Sequence, residues 1–356
     1  MKKSFLIIVG LAAMLLFAPA CLEDFFSTDE EEDLSQDLVG IWHRIYMTIN
    51  GVQYGLPSVV YLNDDGSGTG DGFDELEQEE PEHNVFSWKT YGNIMIVTDE
   101  NDSIIWSGGY TLLEDNNVVQ FNYTSGGHDY QEMYVKYTGE KDAALIGDWA
   151  LVELKSDGER QLMLEKVTFV ANGSGEDYLV EDLEDTTDVE TSNFNWTTTG
   201  SYLIVISEGD QYAMVIKYSV SEDVLTGTSY GMEGTTETYT FVKDVGEHDP
   251  AGIGTWIASS WKINGVETPM IFQATLVLNT DWSGSWTTVT LYGTFTDNFT
   301  WTTNNGYVFI YLVDDTEIAW VQSYEITENT MVLTSNTEYV EGYGWVTVEY
   351  TLTKSS

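Results

Sequence analysis

Four histidines, one cysteine and a dense set of carboxylates are the residues with which this chain could do chemistry. His43, His83, His128 and His248 are scattered, with no His-x-x-x-His pair, and no serine sits in a Gly-x-Ser-x-Gly elbow. Thr124-Ser125-Gly126-Gly127-His128-Asp129 sets Ser, His and Asp side by side. Catalytic triads are assembled in space rather than from consecutive residues, so this run is expected to be a hairpin loop. A single cysteine excludes a cysteine-based zinc site. No constellation supports an enzyme. Calcium is the stronger candidate: Asn63-x-Asp65-x-Ser67-Gly68, followed by Asp71 and Asp74, spaces oxygen ligands much as an EF-hand does. The twelfth position from Asn63 is Asp74 rather than Glu, the flanks have strand character, and matching turns elsewhere lack the carboxylates. A plain hairpin turn is the expectation.

Two longer loops are strongly acidic. Asp71 to His83 carries Asp71, Asp74, Glu75, Glu77, Glu79, Glu80 and Glu82, and residues 176–190 carry eight more carboxylates at the equivalent place. The third counterpart, Trp286 to Phe299, is nearly uncharged and strand-like. Such variation on a constant scaffold is how binding loops behave, although a solvated loop that keeps the protein soluble gives the same pattern. Of the 12 tryptophans, Trp106, Trp261, Trp282, Trp286, Trp320 and Trp345 do not recur through all the units described below. Trp282 falls in an expected turn, and an exposed Trp on a β scaffold could stack on a sugar or meet a partner.

Lys and Arg number 13 against 59 Asp and Glu, a formal net charge of −46 over 356 residues. That balance excludes general nucleic-acid binding and disfavours adsorption to anionic head groups. The apolar fraction of 42% and aromatic fraction of 13% are too high for a disordered acidic chain.

Lys2 and Lys3 precede an uncharged apolar run from Phe5 to Phe17, too short for a stable transmembrane anchor and typical of a secretory signal. Ala18-Pro19-Ala20-Cys21 follows. Small residues before a lone cysteine resemble the lipobox of bacterial lipoproteins, with Ala18 where that family most often has Leu. The resemblance implies lipidation at Cys21, a membrane anchor through that residue, and a charge of 11 − 59 = −48 after cleavage. Leu22 is compatible with sorting to an outer membrane. The run Asp29-Glu30-Glu31-Glu32-Asp33 is a solvated tether that also resembles surface-export signals of Bacteroidota lipoproteins.

Four signatures recur three times in the same order. Gly40-Ile41-Trp42 returns as Gly147-Asp148-Trp149 and Gly254-Thr255-Trp256, with Trp spacings of 107 and 107 residues. Phe86-x-Trp88 returns as Phe194-x-Trp196 and Phe299-x-Trp301, each followed by a glycine (Gly92, Gly200, Gly306). The turn Asp65-Gly66-Ser67-Gly68 returns as Asn172-Gly173-Ser174-Gly175 and Asp281-Trp282-Ser283-Gly284. Tyr110, Tyr218 and Tyr324 each head an alternating stretch. The organisation expected is a signal over 1–20, a tether over 21–37, and domains over 38–143, 144–248 and 249–356. Val346, Val348, Tyr350 and Leu352 alternate with polar residues, a period of two that marks a half-wet strand. Turn-forming residues recur as hairpins require. The fold class is therefore all-β: three tandem antiparallel up-and-down barrels, with β-sandwich domains as the alternative.

A Gly-x-Trp opening the first strand, with hairpins after it, resembles the lipocalin superfamily, and more closely the compact lipocalin-like domains of bacterial lipoproteins. The resemblance covers residues 38–356 three times over. It implies that Trp42, Trp149 and Trp256 close one barrel end, while Phe86, Trp88, Phe194, Trp196, Phe299 and Trp301 are repeat core. The units are shorter than a typical lipocalin, have no disulfide or C-terminal helix, and lack the family's later Arg motif. Two functions follow as expectations: a lipid-anchored envelope protein holding a small apolar ligand in at least one barrel, or a surface module meeting a protein, glycan or cation through loops and outer faces. The location expected is the outer membrane or cell surface.

Overall fold

The computed structural model describes residues 35–73, 81–125, 127–161, 163–180, 190–312, 320–340 and 344–355. The signal segment, Cys21 and the acidic tether lie outside the described residues, as does Asp74. Three closed eight-stranded antiparallel barrels follow one another along the chain. In the first, Gly40–Ile49, Ser58–Leu62, Ser67–Gly72, Glu82–Tyr91, Ile94–Thr98, Ile104–Leu113, Val118–Ser125 and His128–Lys136 pair strand to next strand. Gly40–Ile49 then pairs with His128–Lys136 and closes the sheet. Closure leaves these eight strands without the free edges that a sandwich would have kept. A three-residue strand, Val52–Tyr54, folds back on the far end of the first strand. The other barrels repeat this order from Gly147–Ser156 to Thr236–Asp244 and from Gly254–Ile263 to Gly344–Lys354.

The first strand of every barrel carries a register shift at the same place, between Arg44 and Tyr46, Leu151 and Glu153, and Ala258 and Ser260. A bulge there supplies the bend a strand needs to serve both sides of a small barrel.

By compactness the chain divides into two units. One comprises the residues up to 138, which form the first barrel, with 211–215 and 230–235. The other comprises 139–210, 216–229 and 236–356. In the latter, the second and third barrels share a small core of Ala150, Val242, Phe309 and Val321. Asp244 bridges them, accepting from Thr302 Oγ1 at 2.9 Å and from the Tyr311 hydroxyl. Asp142 and Asp249 cap single 3-10 turns, accepting from Ala144 N and Ala251 N.

Candidate functional site

The recurring signatures meet in space and build one closed end. Trp42, Trp149 and Trp256 are fully buried, and their indole N–H groups donate to Leu38 O, Leu145 O and Gly252 O at 2.6–2.7 Å. A lysine from the last strand covers each ring: Lys136, Lys243 and Lys354 lie 5.3, 5.3 and 5.0 Å from the centroids. Their Nζ atoms donate to Asp37 O, Ala144 O and Ala251 O. A cation held over an indole face while hydrogen-bonded gains quadrupole attraction as well as packing. The glycine of Gly-x-Trp is required twice over. Its φ is 145°, 129° and 144°, and a Cβ would come within 2.7–2.8 Å of the lysine Cε.

The Phe-x-Trp and turn signatures also pack together. A Cβ on Gly68, Gly175 or Gly284 would lie 2.1–2.3 Å from the ring of Phe86, Phe194 or Phe299. Trp88 and Trp196 donate to Ser67 O and Ser174 O, whereas the buried Trp301 Nε1 has no partner. The turn above Trp301 is also the one that departs. Trp282, with φ 68°, stands where the other barrels have Gly66 and Gly173 at φ 81° and 93°. A bulky residue in that region is strained. Trp282 is 40% exposed and stacks on His248 at 3.6 Å between centroids.

Strand register makes the opposite mouths comparable residue by residue. Gly68, Gly175 and Gly284 pair with Leu62, Phe169 and Leu278, so Gly70, Asp177 and Trp286 are equivalent, as are Ser58, Glu165 and Ala274. On the last strand Glu132, Tyr239 and Tyr350 correspond, since they pair with Met47, Leu154 and Trp261.

Each barrel fills this layer with a different chemistry. The first holds an ion pair: Arg44 Nη2 lies 3.0 Å from Glu132 Oε2, with both side chains buried. Arg44 also donates to Tyr134 Oη at 3.1 Å and to Phe73 O at 2.8 Å. Tyr123 and Tyr134 donate to the two Glu132 oxygens at 2.5 Å. Burial and the Glu132 carboxylate raise the Tyr123 hydroxyl well above its ordinary value. Every polar group named is matched, as a buried charge requires.

The second barrel gathers carboxylates. Glu165, Asp177 and Glu237 lie on the core-facing side of three strands, with Tyr239 donating to Glu237 and Ser229 3.2 Å from the Tyr239 hydroxyl. Desolvation, then the charges of Asp177 and Glu237, push Glu165 up to about 8. Asp177 is raised to about 6 by burial, and its Oδ1 is buried without a hydrogen-bond partner. The third barrel is aromatic at this level: Trp261 packs on Phe272 at 4.7 Å and Trp286 on Tyr350 at 5.1 Å. Deeper in that barrel a wholly apolar void of about 10 Å³ remains between Leu276, Trp301, Ile310, Tyr324 and Leu333. That is room for about one water-sized sphere.

Of the calcium candidates, Asn63, Asp65 and Asp71 are described and Asp74 is not. Asp65 Oδ1 accepts from Ser67 N at 2.9 Å and Ser67 Oγ at 2.6 Å, and Asn63 donates to that same Oγ. Asn172 with Ser174 and Asp281 with Ser283 build the same local turn. Asp71 instead meets His83 Nδ1 at 2.6 Å. Among the described residues no group of three Asp, Glu, His or Cys is arranged to hold a metal ion. Ser125 and His128 flank a hairpin turn, with His128 Nδ1 2.6 Å from Asn50 Nδ2. Trp106 lies among Phe121 and Tyr123, Trp261 is buried, and Trp286 and Trp320 are half-buried.

Sequence reasoning missed the mouth layers and the lysine covers. A signal existed for both. Arg44 is the one formally charged residue of the first strand, and Lys136, Lys243 and Lys354 recur at the ends of the closing strands in a chain with only 13 Lys and Arg.

Neither a family model nor a curated protein sequence matches the chain. Among solved structures it is similar to transferrin binding protein B from serogroup B Neisseria meningitidis, at 10% identity, 85% of this chain, 66% of that one and TM-score 0.21. A candidate outer membrane protein of Bacteroides fragilis matches at 12% identity over 59% of this chain and 98% of that one, TM-score 0.20. A protein of unknown function from Nostoc punctiforme matches at 12% identity over 90% and 97%, TM-score 0.20. Likeness at this level carries no argument about function.

Proposed function

We propose that this chain is an exported, lipid-anchored envelope protein whose three barrels form a docking scaffold, presenting different rims to a protein or glycan partner. The apolar run from Phe5 to Phe17 and the small residues before Cys21 support export and anchoring. One observation supports docking over ligand carriage: among the described residues the cores of the second and third barrels are packed with their own side chains, while the residues at and beyond the mouths differ from unit to unit. Trp149, Leu151, Phe169, Phe194, Trp196 and Phe241 pack the second interior, and Trp256, Leu276, Phe299, Trp301 and Leu333 the third. A drug-sized apolar ligand needs a lined cavity of roughly 300 Å³ or more; the void in the third barrel is about 10 Å³.

Native mass spectrometry of residues 22–356, purified from a lipid-containing host with calcium and with chelator, tests the choice. The bare polypeptide mass is expected under both conditions. A stable small-molecule adduct, lost on organic extraction, would overturn the docking reading and restore the apolar-ligand one. Radiolabelled palmitate incorporated into the full chain but not into Cys21→Ser is the outcome expected for the anchor.

A further inference from the structure

The third barrel carries the most exposed apolar residues among those described. Its hairpin, strands Ser283–Thr290 and Gly293–Asn304, turns through Leu291 and Tyr292, which are 95% and 94% exposed. Phe295 on the returning strand is 58% exposed, and Val289 is also exposed. Ile271, 81% exposed, stands two residues before Gln273, whose register partner is Val289, so it flanks the same rim. Tight hairpin turns favour Gly, Asn and Asp because they are solvated. A Leu-Tyr pair at the tip leaves apolar area in water with no return from the fold, and contiguous patches of this kind mark contact sites.

The charge pattern says what the tip meets. From Ser283 to Thr296 there is no ionisable carboxylate, lysine or arginine, in a chain of net charge −46. The equivalent loops of the first two barrels carry seven carboxylates between Asp71 and His83 and eight over 176–190. A basic protein surface would favour keeping such carboxylates, and protein interfaces surround their apolar centre with a polar, often charged rim. A bilayer disfavours them, because a charge brought to the interface loses hydration. What surrounds the tip instead is Thr287, Thr288, Thr290, Thr294 and Thr296, hydroxyls that hydrogen-bond without charge, with the Tyr292 ring, a residue type enriched at the membrane–water boundary. The tip is also a protrusion rather than a groove.

We infer that the third-barrel hairpin is a shallow membrane contact, inserting Leu291, Tyr292 and Phe295 into the interface of an uncharged, zwitterionic lipid surface. This contact is independent of any lipid on Cys21, and its selectivity follows from the chain's charge: anionic lipid repels the rest of the molecule.

The test is flotation of residues 22–356 with phosphatidylcholine vesicles. The polypeptide is expected to float, and Leu291→Ser with Tyr292→Ser to lower the bound fraction about tenfold or more, since both side chains lose apolar burial. Replacing a third of the lipid by phosphatidylglycerol should weaken binding at low salt. These residues contain no cysteine, so Tyr292→Cys gives a single labelling site. A polarity-sensitive dye there should shift to the blue with vesicles, while the same dye at exposed Ser219 of the second barrel should not. Failure to float, or flotation unchanged by the double substitution, would overturn the inference. So would a blue shift at position 292 that grows with protein concentration in the absence of vesicles, which would assign the hairpin to a second copy of the chain. The native-mass outcome above does not bear on this result, so the two readings fail separately.

Discussion

Replacing Glu165 by glutamine in the second barrel should stabilise that barrel in mildly alkaline solution and do little in acid. Glu165 is pushed from 4.5 to about 8, first by desolvation and then by Asp177 and Glu237. Each pH unit of displacement is worth about 1.4 kcal/mol, so its ionised form costs the native state on the order of 5 kcal/mol. The folded value lies above the unfolded one, so the native barrel binds this proton more tightly. The stabilisation is fully present below about pH 4.5 and is lost as pH rises through about 8. Asp177, raised to about 6, acts in the same direction over a lower window. Glutamine has nothing to ionise, so this dependence disappears with the substitution, while Asp177 stays raised by its own burial. Relative to wild type, Glu165→Gln should therefore gain about 3 kcal/mol more at pH 8 than at pH 5. The three barrels need not unfold together, so a global melt is the wrong readout. Hydrogen exchange of strands Leu164–Phe169 and Ser174–Val180, corrected for the intrinsic pH dependence, isolates the second barrel. An equal effect at both pH values, or a loss of protection at pH 8, would refute the account of a desolvated Glu165 facing the carboxylates of Asp177 and Glu237.

Two further outcomes concern the first barrel. Arg44→Met should cost about 3–5 kcal/mol because it strands the buried Glu132, whereas adding Glu132→Leu should recover much of that loss; simple additivity in hydrogen exchange of strand Gly40–Ile49 would contradict the pairing. His43 is buried and held down to about 4 by desolvation. Its folded value lies below the unfolded one, so the first barrel should lose up to about 3 kcal/mol as pH falls from 6.5 to 4, and His43→Leu should flatten that slope in exchange measurements on Gly40–Ile49.

The repeats and the strands were legible because local chemistry specifies them. Alternation shows which residues of a strand share a face, and Gly-x-Trp followed by Phe-x-Trp at fixed spacing shows that one packing solution is used three times. Closure into a barrel was a choice between two folds with the same period. It was decided by the pairing of Gly40–Ile49 with His128–Lys136, a contact between chain segments about 90 residues apart. Trp282 was expected to be doubtful for burial, and its half-exposed, left-handed turn follows from replacing the glycine that the other two units keep.

By itself, then, the sequence determined a thrice-repeated all-β architecture, an acidic composition and the aromatic signatures that recur in each unit. Only the tertiary structure decided that Lys136, Lys243 and Lys354 cover Trp42, Trp149 and Trp256, that Arg44 finds Glu132, and that Glu165 meets Asp177 and Glu237. The reason is physical. Period and turn chemistry act between neighbours in the chain, whereas the environment of a buried charge depends on which distant strands the closed sheet brings to the same height. A one-residue change of register would turn each of these side chains to the other face of the sheet.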